Sequence, residues 1–552
     1  MKSRIFYSSL LLTGVNLLLR LISTSFQVYL SGKIGPEGIG LLHLLLSVGG
    51  LAMIAGAAGV RTSAMYLTAE ELGKGRKHNV HWVLSGCTLY SLVFSVTVSM
   101  GLYGFAPVIA ESWIGEPEIF PAIRIFAMFL PINCLCGVMT GYFTAANRIR
   151  TLAAVEVAEQ LTFMGTVFSL LTLWAGSDPL RACIAVVVGQ GLGSCFTLAC
   201  LWVLRLRERT AAGPRIPIAG RLLKTALPLA AADDLKAGIS TGENLMVPKR
   251  LALYEGTQSP LAAFGMVCGM VFPIMMFPAA ILFGLSELLV PELARCAAVG
   301  SRKRISYLVG RCLHVGLLYG CACAGVIFLT ADSLCGAIYH TGAPAPYLKA
   351  FALLIPMLYA DSLIDAMTKG LGQQTACVRY NILTSAMDVG LLFVLLPRFG
   401  LHGYFCSFFV THFINFCLSL RRLLRVSGYA QSATQPLLTL LAAAASMAGA
   451  ALAVSPLVRA FGFLGIFFCL LCLLGVVKKA DFQWASPGAW QIKIRQDLGR
   501  FPLILPGFIT SLTTPGPAPE FPGQWGKEDS RPPGHPPQSG QGMWSGSFCA
   551  CR

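Results

Sequence analysis

Charge is what this 552-residue sequence has least of: Asp, Glu, Lys and Arg make up 12% of it, against about 25% in an average soluble domain. With 55% of residues hydrophobic, no soluble core has room for that much apolar surface. Other signatures are missing as well. No GxxxxGK[ST] loop occurs, which excludes a P-loop ATPase within this chain. No HExxH is present, so the common zinc hydrolase centre is absent. The 19 cysteines include the close pairs Cys134/Cys136, Cys321/Cys323 and Cys469/Cys472, but these lack the paired spacing and His partners of a zinc site. They read as small buried hydrophobes, and no metal, cofactor or catalytic residue is expected.

What is present is a series of apolar runs of about 20 residues, the length that crosses a hydrocarbon layer. They recur from Ile5 to about Val477 and predict an all-α integral membrane protein of about fourteen transmembrane helices. The expected spans are 5–30, 39–67, 80–108, 119–145, 152–175, 181–204, 222–247, 262–291, 306–331, 346–368, 378–397, 403–420, 434–456 and 460–477. The first run continues to Leu30 without a small-residue cleavage site, so it is expected to be a helix and not a removed signal peptide.

The formal charge of +17 is not a nucleic-acid footprint, because the basic residues fall in short connections between apolar runs. Alternate connections carry them: Lys74, Arg76 and Lys77; Arg148 and Arg150; Arg205 to Arg221; Arg295 to Arg304; Lys369 and Arg379; Arg421, Arg422 and Arg425. By the positive-inside rule these face the cytoplasm, which puts both termini inside and makes the number of spans even. The longest basic connection, 205–221, contains Gly213 and Pro214 and divides the run of helices into two sets of six. The expected organisation is an N-terminal lobe over 1–204, a basic cytoplasmic linker over 205–221, a second lobe over 222–425, two further helices over 426–480, and a Pro- and Gly-rich disordered cytoplasmic tail over 481–552.

Charges inside a bilayer are costly, about 2.5–3.5 kcal/mol each on insertion scales, so those that occur mark interior faces or wet cavities. The first half offers Arg20, Arg61, Arg124, Glu156 and Glu159. The second offers Asp233, Asp234, Lys236 and Glu243 in the seventh run, then Glu287, Asp361, Asp365 and Asp388. Asp233 with Lys236, Lys236 with Glu243, and Asp361 with Asp365 each share a helix face by spacing. The seventh run thus carries a polar stripe. Arg124, Glu156, Glu243 and Glu287 fall near predicted helix ends, where reaching the interface is the plain explanation, whereas Arg20, Lys236 and Asp388 lie deeper. Arg and Lys together suit a pyrophosphate, the first by its bidentate fork and the second as a point charge. Gly189/Gly193 and Gly265/Gly269 have the spacing of close helix contacts, and Pro228, Pro248, Pro273 and Pro278 are expected to kink or end the seventh and eighth helices.

Several long stretches carry a family resemblance: GENLMVPKRL at 242–251, FGMVCGMVFPIMMFPAAILFGLSELLVPELA at 264–294, PMLYADSLIDAMTKGLGQQTACVRYNILTSAMDVGLLFVLLPRFGLHGY at 356–404 and NFCLSLRRLL at 415–424. A weaker one is IGPEGIGLLHLL at 34–45. Together they resemble the MOP superfamily of flippases and exporters, in particular its oligosaccharide flippase branch of the stage V sporulation protein B type. The resemblance covers about residues 1–480. It implies two pseudo-symmetric six-helix lobes plus two C-terminal helices around a central cavity, with alternating access in a bacterial plasma membrane. The implied cargo is a polyprenyl-pyrophosphate-linked saccharide or peptidoglycan-type precursor, with membrane lipids and cell-wall synthesis enzymes as partners, no nucleic acid, and sporulation as a setting. Arg20 is similar to a first-helix Arg of such flippases, Arg61 matches more loosely, Glu243 resembles a Glu of the sporulation branch, and Lys236 stands where an Arg is expected. Glu159 is kept, but the Arg expected shortly after it is not.

The expected site is therefore a cargo cavity of Arg20, Arg61, Lys236 and Glu243. Asp233, Asp234, Glu159, Asp361, Asp365 and Asp388 are left for ion coupling or lobe pairing. A cation-coupled multidrug exporter of the same superfamily is the nearest rival. A membrane enzyme acting on lipid-linked glycan, or a scaffold for cell-wall assembly, would be a different class of protein.

Overall fold

A computed structural model describes residues 2–207, 218–256, 259–430 and 434–477. The expected tail over 481–552 lies outside them, as does most of the expected linker. Among the described residues every regular element is helical. The first half comprises α1 (Lys2–Ala57), α2 (Val60–Gly73), α3 (Val80–Val108), α4 (Phe120–Ala145), α5 (Ile149–Leu170) and α6 (Pro179–Leu206). The second half opens with α7 (Ala219–Leu251), followed by the short α8 (Pro260–Met266) and α9 (Phe272–Met276), then α10 (Ala279–Ala298) and α11 (Arg302–Tyr339). It closes with α12 (Ala345–Ala352), α13 (Ile355–Gly370) and α14 (Gln374–Ser427), after which come α15 (Thr434–Ala451) and α16 (Pro456–Leu473). Three π-helical stretches, Ile109–Ile114, Leu171–Ala175 and Val267–Val271, extend α3 and α5 and join α8 to α9.

Two helices are longer than any bilayer needs, and both are hairpins. Gln27 and His43 of α1 approach to 3.4 Å between side-chain nitrogens. Sixteen residues of continuous helix would hold them about 24 Å apart. The chain therefore doubles back, at Gly35 (φ 71, ψ 177) followed by Pro36, a backbone conformation open to glycine and closed to most side chains. In α14, Ser407 likewise bonds Asp388 across the reversal at Gly400 (φ 57, ψ −136).

Nine described helices are long and apolar enough to cross a membrane, or up to eleven if each of two sharply bent pairs is one span. The bent pairs are α8 and α9 with α10, at 64°, and α12 with α13, at 54°. With α1 and α14 counted as double passes and α7 added, the chain makes about fourteen passes, as the apolar runs predict. All basic connections then fall at one end of the bundle, here called the basic end. The second pass is broken at Ala58 and Gly59 and the eighth near Pro278, features that the hydropathy pattern does not show.

The main apolar core runs through both halves, from Phe26 and Leu45 on α1 to Leu363 on α13 and Leu396 on α14. A smaller core joins α2, α3 and α4 to the start of α7 through Leu222 and Ala226. A third seats α15 and α16 on α11, with Phe463 against Gly325. The Gly-x-x-x-Gly spacings do pack closely: Gly189 lies against Phe163 and Val167 of α5, and Gly265 and Gly269 against α1. Pro228 and Pro248 lie inside α7 and do not end it.

Candidate functional site

The helix α7 is long enough to cross a membrane at 33 residues but too polar to pass as an ordinary lipid-facing span. Such a helix is tolerated where protein or water, not lipid, surrounds its polar groups. Its neighbours supply that shielding. At the basic end Arg221 donates to Glu71 at 2.8 Å and to Glu70 at 2.7 Å, and Asn79 donates to Glu71 at 2.8 Å. Glu71 is almost fully buried, so its charge depends on these partners. Arg221, assigned by sequence to a linker, is thus a helical residue that ties the second half to the first.

In mid-helix, Thr241 donates to the Ser47 carbonyl at 3.1 Å and Asn244 to the Ser47 hydroxyl at 3.0 Å, both on α1. At the far end Lys249 donates to the Ser112 carbonyl. Arg250 donates to the Phe393 carbonyl at 2.8 Å and stacks on the Phe393 ring at 3.6 Å.

The acidic residue of α7 that reaches into the second half is Glu243. Glu243 lies eight residues before the end of α7, about two turns in, and its carboxyl stands beside that of Asp388 of α14. Asp388 is buried and accepts hydrogen bonds from Ser407 at 2.6 Å and Thr411 at 3.2 Å. Cys268 of the π-helical stretch and the buried Tyr404 stand in the same group. Two carboxyl groups this close repel when both are ionised, an arrangement that favours a shared proton or a small cation between them. Among the described residues no three His, Cys, Asp or Glu side chains are placed to hold a metal ion by themselves.

The remaining expected residues separate. Asp361 and Asp365, predicted to work as one face, are held by different partners: Asn415 donates to Asp361 at 3.0 Å, and Lys369 pairs with Asp365 at 2.6 Å. Glu159 lays its side chain against Gly193 of α6. Arg124 sits between the rings of Tyr103 and Phe120, at 5.0 and 5.1 Å. The side chains of Arg20 and Glu287 lie outside the described set, so Arg20 is placed only by its position in α1. Arg61, Asp233 and Lys236 are exposed, Asp234 is half-buried, and Arg61 and Glu156 interact electrostatically. Among the described residues neither Arg61 nor Lys236 is engaged in an ion pair. Sequence reasoning missed Ser407, Thr411, Tyr404 and Arg221. Ser407 and Thr411 share a face four residues apart, but that spacing is common in apolar helices.

Away from the basic end the two halves meet at backbone distance. A Cβ on Gly265 would stand 1.8 Å from the Pro36 carbonyl oxygen, and one on Gly40 would stand 2.4 Å from that of Leu261. Only glycine permits this approach, which closes α1 against α8.

Comparison with known proteins agrees with this architecture. The family model described as polysaccharide biosynthesis protein matches residues 6–219. The stage V sporulation protein B of Bacillus subtilis (strain 168) is 21% identical over 407 residues, covering 72% of this chain and 79% of that protein. Among solved structures, the lipid II flippase MurJ in an inward closed conformation superposes with a TM-score of 0.63 at 12% identity, covering 84% of this chain and 98% of its own. An inward-facing multidrug resistance MATE family transporter of the MOP superfamily gives 0.62 at 14% identity, covering 76% of this chain and all of its own. The chain is accordingly a multi-pass membrane protein with the fold of these transporters, and its first half carries the sequence likeness to the polysaccharide biosynthesis family.

Proposed function

We propose that the protein is a flippase that carries a polyprenyl-pyrophosphate-linked saccharide across a membrane by alternating access. The observation that carries this reading is the contrast in how its charges are held. Asp361 and Asp388 of the second half are bonded into the protein, whereas the basic Arg61 and Lys236 are exposed and, among the described residues, in no ion pair, with Glu156 the acid that acts on Arg61. Exposed cations within membrane-spanning helices need water or an anionic ligand. A pyrophosphate supplies the second, and the lipid tail of such a cargo stays in the bilayer. The family match to polysaccharide biosynthesis and the relatedness to a sporulation protein and a lipid II flippase point to the same cargo class.

In this reading Arg20, Arg61 and Lys236 receive the pyrophosphate. Glu243 and Asp388 form the coupling site, where binding or release of a proton or small cation changes the bond between α7 and α14. Asp233, Asp234 and Glu159 act in lobe pairing, and Asp361 and Asp365 are secondary candidates for coupling. The basic end faces the cytoplasm of a bacterial plasma membrane, by the positive-inside rule.

The test is reconstitution in liposomes with a fluorescent polyprenyl-pyrophosphate saccharide, following its exposure on the outer leaflet under an imposed potential or cation gradient. Wild type is expected to expose the lipid well above empty liposomes, and Arg61→Ala and Lys236→Ala to slow it. Exposure equal to empty liposomes, together with extrusion of cationic dyes, would replace this reading with multidrug export.

A further inference from the structure

The eighth pass is interrupted at the centre of its length. Pro273 and Pro278 each remove a backbone donor, a π-helical stretch precedes them at Val267–Val271, and the limbs on either side meet at 64°. Such a break exposes carbonyls that the continuous helix would have paired, and in an apolar interior each must find another donor. Three tyrosines provide them. Tyr339 donates to the Met270 carbonyl at 3.0 Å, Tyr359 to Met275 at 2.6 Å and Tyr319 to Pro278 at 2.8 Å.

Tyr359 does more than cap. In a straight helix the Met275 carbonyl would accept from the Ala279 amide four residues on; here it accepts from the Tyr359 hydroxyl instead. The hydroxyl is thus inserted into a single rung of the helix ladder, a recognised cause of sharp kinks. Tyr359 is 1% exposed, so no water competes for the rung.

The same construction recurs in the first half. The second pass breaks where Ala58 and Gly59 adopt φ values of 43° and 70°, and Tyr90 of the following pass donates to the Ala58 carbonyl at 3.1 Å. In both halves, then, a tyrosine one pass further on donates to a carbonyl at the break: Tyr90 of α3 to Ala58 in the second pass, and Tyr319 of α11 to Pro278 in the eighth, a carbonyl that also accepts from the Ile281 amide at 3.3 Å.

We propose that these two breaks are paired hinges with a built-in latch, in which tyrosine hydroxyls hold the bent state and Tyr359 acts as a removable wedge. Withdrawal of the Tyr359 hydroxyl lets the Ala279 amide bond directly to Met275, which straightens the eighth pass between α8 and α10. The element is bistable because the Met275 carbonyl keeps a donor in either state, the Tyr359 hydroxyl in the bent one and the Ala279 amide in the straight one. It sits where motion would matter: α8 touches α1 at Gly265, and Cys268 of the π-helical stretch adjoins the Glu243–Asp388 group. The inference is independent of which cargo is carried.

The experiment measures the bend directly. Spin labels are attached at positions 260 and 299 through an unnatural amino acid, leaving the native cysteines in place, and the distance distribution is read by pulsed electron resonance in nanodiscs. At 1.5 Å rise per residue, straightening from 64° lengthens this span by about 8 Å. Tyr359→Phe is expected to raise the long-distance population about fivefold over wild type, the weight of one ordinary net hydrogen bond. An unchanged distribution in Tyr359→Phe overturns the proposal. Should that variant fail to fold, Tyr319→Phe, which removes only the bond to Pro278, is read in its place. A raised long population there supports the latch, and an unchanged one overturns it.

Discussion

The second and eighth passes occupy corresponding places in the two halves, yet they are built differently. The second pass breaks at two residues in left-handed conformation, and one tyrosine serves it. The eighth breaks through two prolines and a π-helical stretch, and three tyrosines serve it. A wider asymmetry follows the same line. The second half holds Asp388 and Asp361 in hydrogen-bonded groups, while Arg61 of the first half and Lys236 of α7 are exposed. This contrast suggests a division of labour, with cargo received by exposed cations and the conformational drive stored in the second half, and α7 fastened to both.

The strongest way to break that division is at Asp388. Asp388→Ala takes the carboxylate away from Ser407 and Thr411 and removes the neighbour of Glu243; cargo exposure in the liposome assay is expected to fall at least tenfold while Arg61→Ala keeps a larger residual rate. Equal losses in the two variants would remove the distinction between halves.

Next in size is the glycine contact. Gly265→Ala places a methyl group against the Pro36 carbonyl, and overpacking of this kind typically costs about 1–3 kcal/mol. Thiol labelling of a cysteine placed near Gly40 is expected to rise as α1 and α8 separate, and unchanged labelling would show that the closure lies elsewhere.

Arg221→Ala probes the fastening of α7 to the first half. It leaves Glu71 buried with Asn79 as its remaining partner, a loss of about 1–3 kcal/mol by the usual cost of an under-satisfied buried group. A thermal melt in detergent should show it, and Arg221→Lys should recover only part, since one ammonium does not reproduce the two-pronged bond to Glu70 and Glu71.

The smallest effect on stability is expected for Lys236→Ala. As an exposed residue it should move the melting temperature within the scatter of ordinary surface changes, about 0.5 kcal/mol, while half-saturation for cargo rises severalfold. A large drop in melting temperature would mark Lys236 as structural and weaken the assignment to cargo.

Much of this protein is already determined by its sequence alone. Apolar runs of bilayer length fix the helices and their approximate number, because no other element satisfies its backbone polar groups in lipid. Alternation of basic connections orders those helices into passes, and the cost of intramembrane charge singles out Glu243, Asp388 and Lys236 as residues to watch. What a linear reading could not determine is pairing. Glu243 and Asp388 are separated by well over a hundred residues, and their meeting depends on how α7 lies against α14. Arg221 reads as linker because helix ends are poorly marked by composition, and Asp361 and Asp365 read as a pair because spacing records a shared face and not the neighbour that face meets. The hinge of the eighth pass was half visible: its prolines announced a break, but only the tertiary structure could bring Tyr319, Tyr339 and Tyr359 to the carbonyls that the break released. Local rules act along a few residues of one chain, whereas hydrogen-bond satisfaction in an apolar interior is settled among whichever segments the packing brings together.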